Sequence, residues 1–280
     1  MKYTFLLFFV SVLLHAQSDL QFDKKFVESE NKWVVYQTEK ASYQFGYVYI
    51  DRMAGMTYHS EGSFIIDGKG EFIPTKNPDY TMMIVRVEPK NGPIAWLPQT
   101  RFKELGIKEN PDWYEIYKVD MSNAVNLVKW GNFYNSWDSS TKALTYLEKA
   151  HAIDPKTKGL AFELGFAYNA LQQYEKAIPI LSKGLKEDKK DCQLYKELAF
   201  AEMNSNSLKL AIETYRKCCL NCNQDNVKGE IAYNLSFFYF SLKDVNNLKY
   251  YANEARKFNP STSLYYKNVG LMEAELNKSN

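Results

Sequence analysis

Two textures divide the chain. Between Lys32 and Pro98, apolar and polar residues come in short runs that tend to alternate. From Met121 onward, apolar and small residues recur three and four positions apart. Alternation sends successive side chains to opposite faces of a strand, whereas the wider spacing keeps them on one stripe of a helix. In the first region Trp33, Val34, Val35 and Tyr36 form a β-branched and aromatic run. Residues 43–50 place Tyr43, Phe45, Tyr47 and Tyr49 on one face. Two hairpins are predicted, one turning at Asp67-Gly68 and one at Asn91-Gly92, with Pro93 marking an edge strand. Residues 98–105 predict a short helix. The expectation is one antiparallel β-domain of six or seven strands, either a small sandwich or a partly open barrel, with the charged stretch before it read as a lead-in.

The helical region repeats itself. In residues 159–190, Leu164, Gly165 and Tyr168 lie on one stripe and Ala177, Leu181 and Gly184 on a second, separated by the polar break at 169–173. That is the pattern of two amphipathic helices joined by a tight turn. Sliding the sequence by 34 residues restores the register. Upstream come Trp130, Gly131, Tyr134, Ala143, Leu147 and Ala150; downstream come Leu198, Ala199, Ala211, Tyr215 and Cys218. After three extra residues the pattern resumes with Leu235, Ser236, Tyr239, Leu248, Ala252 and Ala255, and Val269-Gly270 opens a last half-unit.

A period near 34 with a small residue at each helix crossing resembles the tetratricopeptide repeat (TPR) family. The resemblance runs from Ala124 to Leu276, as four repeats and a terminal helix. Glu202 departs from it by replacing an aromatic, Leu248 by replacing an alanine, and Lys189 and Asn223 by standing where proline often sits. The fold class expected is α+β multidomain, an N-terminal antiparallel β-domain followed by an all-α TPR solenoid. The domains expected are a signal peptide at 1–16, a β-rich domain at 17–109, a linker helix at 110–123 seated on the first repeat, and the solenoid at 124–280.

The resemblance also implies which positions line a concave groove: Val128, Asn132 and Asn135; Phe162, Phe166 and Asn169; Lys196, Phe200 and Met203; Tyr233, Phe237 and Phe240. Repeats of this family that clamp a partner's terminal carboxylate use lysine, asparagine and arginine there. Of that set only Asn132 matches, while Val128, Glu163, Gln193 and Glu197 stand at the other clamp positions. An aromatic ladder with a few amides remains, and rigid rings anchor interfaces at low entropic cost. The partner expected is another protein or peptide, held by an apolar segment. The same rings could instead be inter-helix core, be covered by the chain's own β-domain or linker helix, or line a small-molecule pocket. A second functional reading gives Tyr43, Tyr47 and Tyr49 of the β-domain to a carbohydrate or small ligand, with the array as a docking module.

Composition narrows this further. Lys and Arg total 35 against 33 Asp and Glu, so there is no basic excess pointing to nucleic acid. Residues 5–14 form an apolar run after Lys2, followed by polar residues around Ala16. This reads as a secretory signal peptide cut after Ala16, of a bacterial build, and too short to span a bilayer. Export to a periplasm or exterior, without stable membrane insertion, is the expectation. His59 and His151 have no ligand-spaced partner, Asp51-Arg52 reads as a structural pair, and no phosphate loop or nucleophile elbow appears. No catalytic residue, metal or cofactor is expected. The four cysteines, Cys192, Cys218, Cys219 and Cys222, fall within one repeat. The start of its first helix lies beside the end of its second, so Cys192 can pair with Cys222 or with Cys219 in an oxidising compartment, with Cys218 left as core. Zinc or free thiols are the other readings.

Overall fold

The structure, a computed structural model, describes residues 19–38, 42–75, 83–88 and 92–278. The expected signal peptide and the turn at Asn91 lie outside these residues. The chain divides into two compact units, one ending at Lys118 and the other beginning at Val119.

The first unit is built on β1 (Lys32–Gln37), β2 (Tyr43–Asp51), β3 (Gly55–Ile66), β4 (Phe72–Thr75), β5 (Ile84–Arg86) and β6 (Ala95–Trp96). Their order is β4-β3-β2-β1-β6, with β5 beside the opposite end of β3 from β4. Every pairing is antiparallel. This is a single open sheet, neither sandwich nor barrel. The outer strands β4, β5 and β6 are too short to found a second layer, so other parts of the chain cover the sheet. The register shifts between Phe45 and Gly46. Gly46 is required there, because a Cβ would lie 2.3 Å from the His59 carbonyl oxygen.

One face carries Trp33, Val35, Phe45, Tyr47, Tyr49 and Phe64, all buried. Its cover is the stretch the sequence assigns to a linker helix. Residues Asp112–Tyr117 form a 3-10 helix whose Trp113, Tyr114 and Tyr117 rings lie against the sheet. Tyr117 sits 4.7 Å from Tyr49 and Tyr114 sits 5.1 Å from Tyr47, centroid to centroid. Polar groups fix the arrangement: the Tyr47 hydroxyl donates to Asn110 Oδ1 at 2.7 Å, and Trp33 Nε1 donates to the Lys108 carbonyl at 2.8 Å. Buried aromatic rings with polar tips stay where those tips find partners. The segment therefore folds with the β-domain. The lead-in is also structural, since Lys24 bridges Ile94, Leu20 and Phe26 are buried, and Asp19 meets Arg101 at 2.8 Å. The short helix arrives as a 3-10 turn followed by α1 (Phe102–Leu105), closed by Gly106 in the left-handed region.

The second unit consists of helix pairs: α2 (Ala124–Ser136) with α3 (Ser140–Ile153), α4 (Leu160–Ala170) with α5 (Tyr174–Glu187), α6 (Cys192–Asn204) with α7 (Leu208–Asn221), and α8 (Asp225–Ser241) with α9 (Val245–Phe258). The last helix, α10 (Leu264–Lys278), packs on α8 and α9 and is the last element among the described residues. The turns inside the pairs share one device. Asp138, Gln172, Asn206 and Lys243 all have φ between 53° and 59°, at the same phase of each repeat. A single left-handed residue lets the chain reverse in three residues.

Close approach is set by the small column. A Cβ on Gly131 would lie 2.3 Å from Leu147 Cγ, and one on Gly165 would lie 2.3 Å from Leu181 Cδ2. At Gly270, the same phase of α10, the nearest atom to such a Cβ would be Arg256 Nη2 at 3.8 Å. The two glycines therefore respond oppositely to alanine. Gly165→Ala is expected to destabilise the array by about 1–3 kcal/mol through overpacking. Gly270→Ala is expected to be neutral or to stabilise by up to ~1 kcal/mol through helix propensity. Urea unfolding of the two variants checks this, and equal effects would remove the close-packing account.

Candidate functional site

The helices α2, α4, α6, α8 and α10 neighbour one another in sequence, forming one continuous wall. The groove residues named from the sequence sit on it in two registers. Phe166, Phe200, Phe237 and Leu271 occupy one phase of four successive helices. Exposure rises along that row: Phe166 is half-buried, Phe200 is 36% exposed, Phe237 55% and Leu271 68%. Other rings flank it. Phe162 lies 6.3 Å from Phe166, Tyr174 meets Phe200 edge-on at 6.2 Å, Tyr233 lies 4.9 Å from Tyr265, and Phe240 lies 6.4 Å from Phe237. Leu271 was not named from the sequence, although its 34-residue phase to Phe237 was there to be read. Leu264, at the start of the same terminal helix and 73% exposed, was likewise not named.

The amides behave differently from the rings. Asn135 is buried, and its Nδ2 donates to both the backbone carbonyl and Oε2 of Glu163, each at 2.9 Å. Asn169 repeats this one unit later on Glu197, with both contacts at 3.0 Å. Asn132, exposed at the surface, also donates to the Glu163 carboxylate. An asparagine on one helix thus holds the acid on the next. Glu163 and Glu197, at positions where a carboxylate clamp would have other residues, are the internal acceptors of this ladder. The spacing of 28 from Asn135 to Glu163 and from Asn169 to Glu197 was the sequence signal. In the third repeat the asparagine is replaced by Met203, which is buried.

Where the second and third repeats meet, the wall opens into a cleft of about 520 Å³. Phe166, Tyr174 and Phe200 give it apolar sides, and Lys196, Glu197, Glu230, Asn169 and Asn234 give it polar ones. Lys196 Nζ stands 3.8 Å from Glu197 Oε1 and 4.0 Å from Glu230 Oε1. Burial pushes the Glu197 carboxyl above its ordinary range, against the opposing pull of Asn169 and Lys196.

The other residues singled out by sequence have structural surroundings of their own. Cys192 opens α6 and is disulfide-bonded to Cys222 just after α7, with Cα atoms 5.1 Å apart. Cys218 and Cys219 are free, and burial raises both thiols, Cys218 to about 12. His59 is buried under the Trp113 ring at 3.9 Å, and burial lowers its pKa. Asp51 Oδ1 accepts from the Met53 and Ala54 amides and shapes the β2–β3 turn. Of the three tyrosines offered to a sugar in the second sequence reading, Tyr47 and Tyr49 are 0% and 1% exposed beneath the cover segment, and Tyr43 is half-buried, stacked with Phe22 and Phe64. That face is closed by the chain itself. Among the described residues, no group of three His, Cys, Asp or Glu could hold a metal ion, and no helix is long and apolar enough to cross a membrane.

Residues 141–199 match a family model for the tetratricopeptide repeat, and the helix pairs continue on both sides of that stretch in the same geometry. The second unit is a tetratricopeptide-repeat solenoid. Such arrays serve protein–protein interaction or scaffolding. Among solved structures the chain is similar to MamA AMB-1 in form C2221, at 19% identity over 52% of this chain and 84% of that one, with a TM-score of 0.44. It is also similar to MamA MSR-1 in form C2, at 17% identity over 57% and 83%, with a TM-score of 0.41. No curated protein matches the sequence.

One electrostatic feature of the TPR array makes its stability depend on pH. Burial pushes Glu202, on α6, from the ordinary 4.5 up to about 7, with Thr214 pulling weakly the other way. A carboxyl raised by folding takes up a proton as the chain folds, so its favourable contribution is full below about pH 4.5 and is lost as pH rises through 7. The loss is on the order of 3 kcal/mol, a shift from 4.5 to about 7 taken at ~1.4 kcal/mol per pKa unit. Glu202→Gln should remove this slope and leave the array more stable than wild type at pH 8. Chemical denaturation at pH 4.5, 6 and 8 measures it, and a parallel slope in the variant would show that Glu202 is not the group responsible.

Proposed function

We propose that the TPR array is a non-catalytic interaction module that holds an apolar segment of another protein along the row Phe166, Phe200, Phe237 and Leu271. The observation that carries this reading is the exposure of that row on four successive helices, reaching 55% at Phe237 and 68% at Leu271. Burying a ring or leucine of this size is worth about 1.5–3 kcal/mol. Four in line supply the central apolar strip that interfaces concentrate their energy in. A segment lying across the row would bury it without altering any helix-to-helix contact.

The protein is also proposed to work outside the cytoplasm, as an adaptor of the bacterial cell envelope. The apolar run at 5–14 followed by Ala16 supports export. The Cys192–Cys222 bond supports it independently, since such bonds persist in oxidising compartments.

Two outcomes test these readings. Phe237→Ser should change stability by no more than ~0.5 kcal/mol, as for exposed positions generally. It should also abolish crosslinking in cells from a photoreactive residue placed at Leu271. A large loss of stability with crosslinking intact would return the row to the core. For export, the mature protein should begin at Gln17 and, denatured without reductant, should show two reactive thiols, Cys218 and Cys219. An intact N-terminus with four thiols would place it in a reducing compartment.

A further inference from the structure

We infer that the cleft between α4, α6 and α8 takes a cationic side chain, an arginine or lysine, carried by the apolar segment that the aromatic row holds. The inference rests on the groove reading and specifies the chemistry of its occupant. Charge comes first. The cleft is lined by two carboxylates, Glu197 and Glu230, and one ammonium, Lys196. A ligand anion would be a third negative group in a partly buried space, whereas a ligand cation balances the set. The existing pairing is also slack. Lys196 stands 3.8 and 4.0 Å from its two acids, against about 2.7–2.9 Å for a close charge-assisted hydrogen bond. Glu230 also takes the Tyr265 hydroxyl and Glu197 the Asn169 amide, and since a carboxylate offers about four lone-pair sites, both acids retain accepting capacity.

The donor and acceptor census agrees. Asn169, which lines the cleft, gives its Nδ2 to the Glu197 carbonyl and carboxylate, and this fixes which way the amide faces. Its Oδ1 is buried with no donor against it. The amides of Asn132 and Asn135 are committed to Glu163 in the same way. The Asn169 Oδ1 is enclosed, as Oδ1 of Asn135 is, so the acceptors left to a ligand are the carboxylates of Glu197 and Glu230, and a guanidinium or ammonium brings only donors. Finally, Phe166, Tyr174 and Phe200 flank the acids with aromatic rings. Rings beside a carboxylate suit a cation, through its attraction to the ring face and through the apolar stem that carries the charge. The volume of about 520 Å³ admits an arginine side chain with part of its backbone.

The test uses the full-length mature protein and synthetic helical peptides of leucine and alanine that differ at one central position: arginine, glutamine or glutamate. By fluorescence anisotropy, the arginine peptide should bind about tenfold tighter than the glutamine peptide, and the glutamate peptide more weakly than either. Glu230→Gln should bring the arginine-to-glutamine ratio close to one. Equal affinities for all three peptides would overturn the cation and leave the groove standing. If no peptide binds, the cation alone is tested with ethylguanidinium chloride. Saturable NMR shifts of the Asn169 and Asn234 side-chain amides are then expected, absent with sodium acetate and absent in Glu230→Gln. Silence of those amides, or an equal response to acetate, would overturn the inference.

Discussion

The solenoid depends on how near two helices of a pair can come. At Gly131 and Gly165 the partner leucine occupies the place a side chain would need. Interior positions so filled carry dispersion contacts on every side and tolerate almost no added volume. This approach brings Ala143, Leu147, Ala177 and Leu181 to zero exposure. It also sets the tilt at which each pair presents its first helix to the next repeat. The inner wall is a consequence of that geometry. Its row of rings lies in register because the crossings behind it recur at a fixed phase.

Successive repeats are then tied by the asparagine-to-glutamate ladder. A buried carboxylate is costly unless it is hydrogen-bonded. Asn135 and Asn169 meet that cost at Glu163 and Glu197, and also cap the following helix's backbone carbonyl. The same residues decide what the wall can bind. Where other arrays place cations to receive a carboxylate, this one has acids whose donors come from its own preceding helix. The electrostatics of the groove are inverted as a by-product of how the repeats are joined.

Much of this was legible in the sequence. The 34-residue period located every helix pair, because close packing allows only glycine, alanine or serine at the crossing and the column is visible by eye. The ring positions of the groove came from the resemblance to the repeat family. The β-domain was less legible. Its strands are marked by aromatic alternation, but nothing local says whether a tyrosine face will meet water, a ligand or another part of the chain. Trp113, Ile116 and Tyr117 have helical spacing, so they predict a helix without saying that the rings of Trp113, Tyr114 and Tyr117 cover Tyr47 and Tyr49 while Ile116 is left exposed. That depends on partners distant in sequence, such as Asn110 for the Tyr47 hydroxyl. The polar sequence of α10 likewise concealed an apolar stripe, since Leu264 and Leu271 are diluted among charged neighbours.

The third repeat shows how one covalent tie stands in for contacts that its neighbours make. In the first and fourth repeats a tyrosine pair stacks between the helices, Tyr134 on Tyr146 at 5.4 Å and Tyr239 on Tyr251 at 5.6 Å. In the second, the Tyr168 hydroxyl donates to Glu148 at 2.9 Å. The third repeat has Glu202 and Thr214 at the paired positions, both buried, and Met203 in place of the ladder asparagine. It has therefore lost a ring pair and an inter-repeat hydrogen bond in one place. The Cys192–Cys222 bond joins the open ends of that same pair, α6 and α7. Closing a loop of this length restrains the unfolded chain by about 3–4 kcal/mol in the chain-entropy picture. That is of the order of the buried contacts that are missing. The bond also lies beside the short connection to the fourth repeat, residues 222–224, and the three extra residues of the sequence period are taken up by α8, which has 17 residues against 13 in α6. A wall that must present Phe200 and Phe237 in one row needs α6 and α8 held in a fixed relation, and the covalent tie from the start of α6 ends at Cys222, three residues before α8 begins.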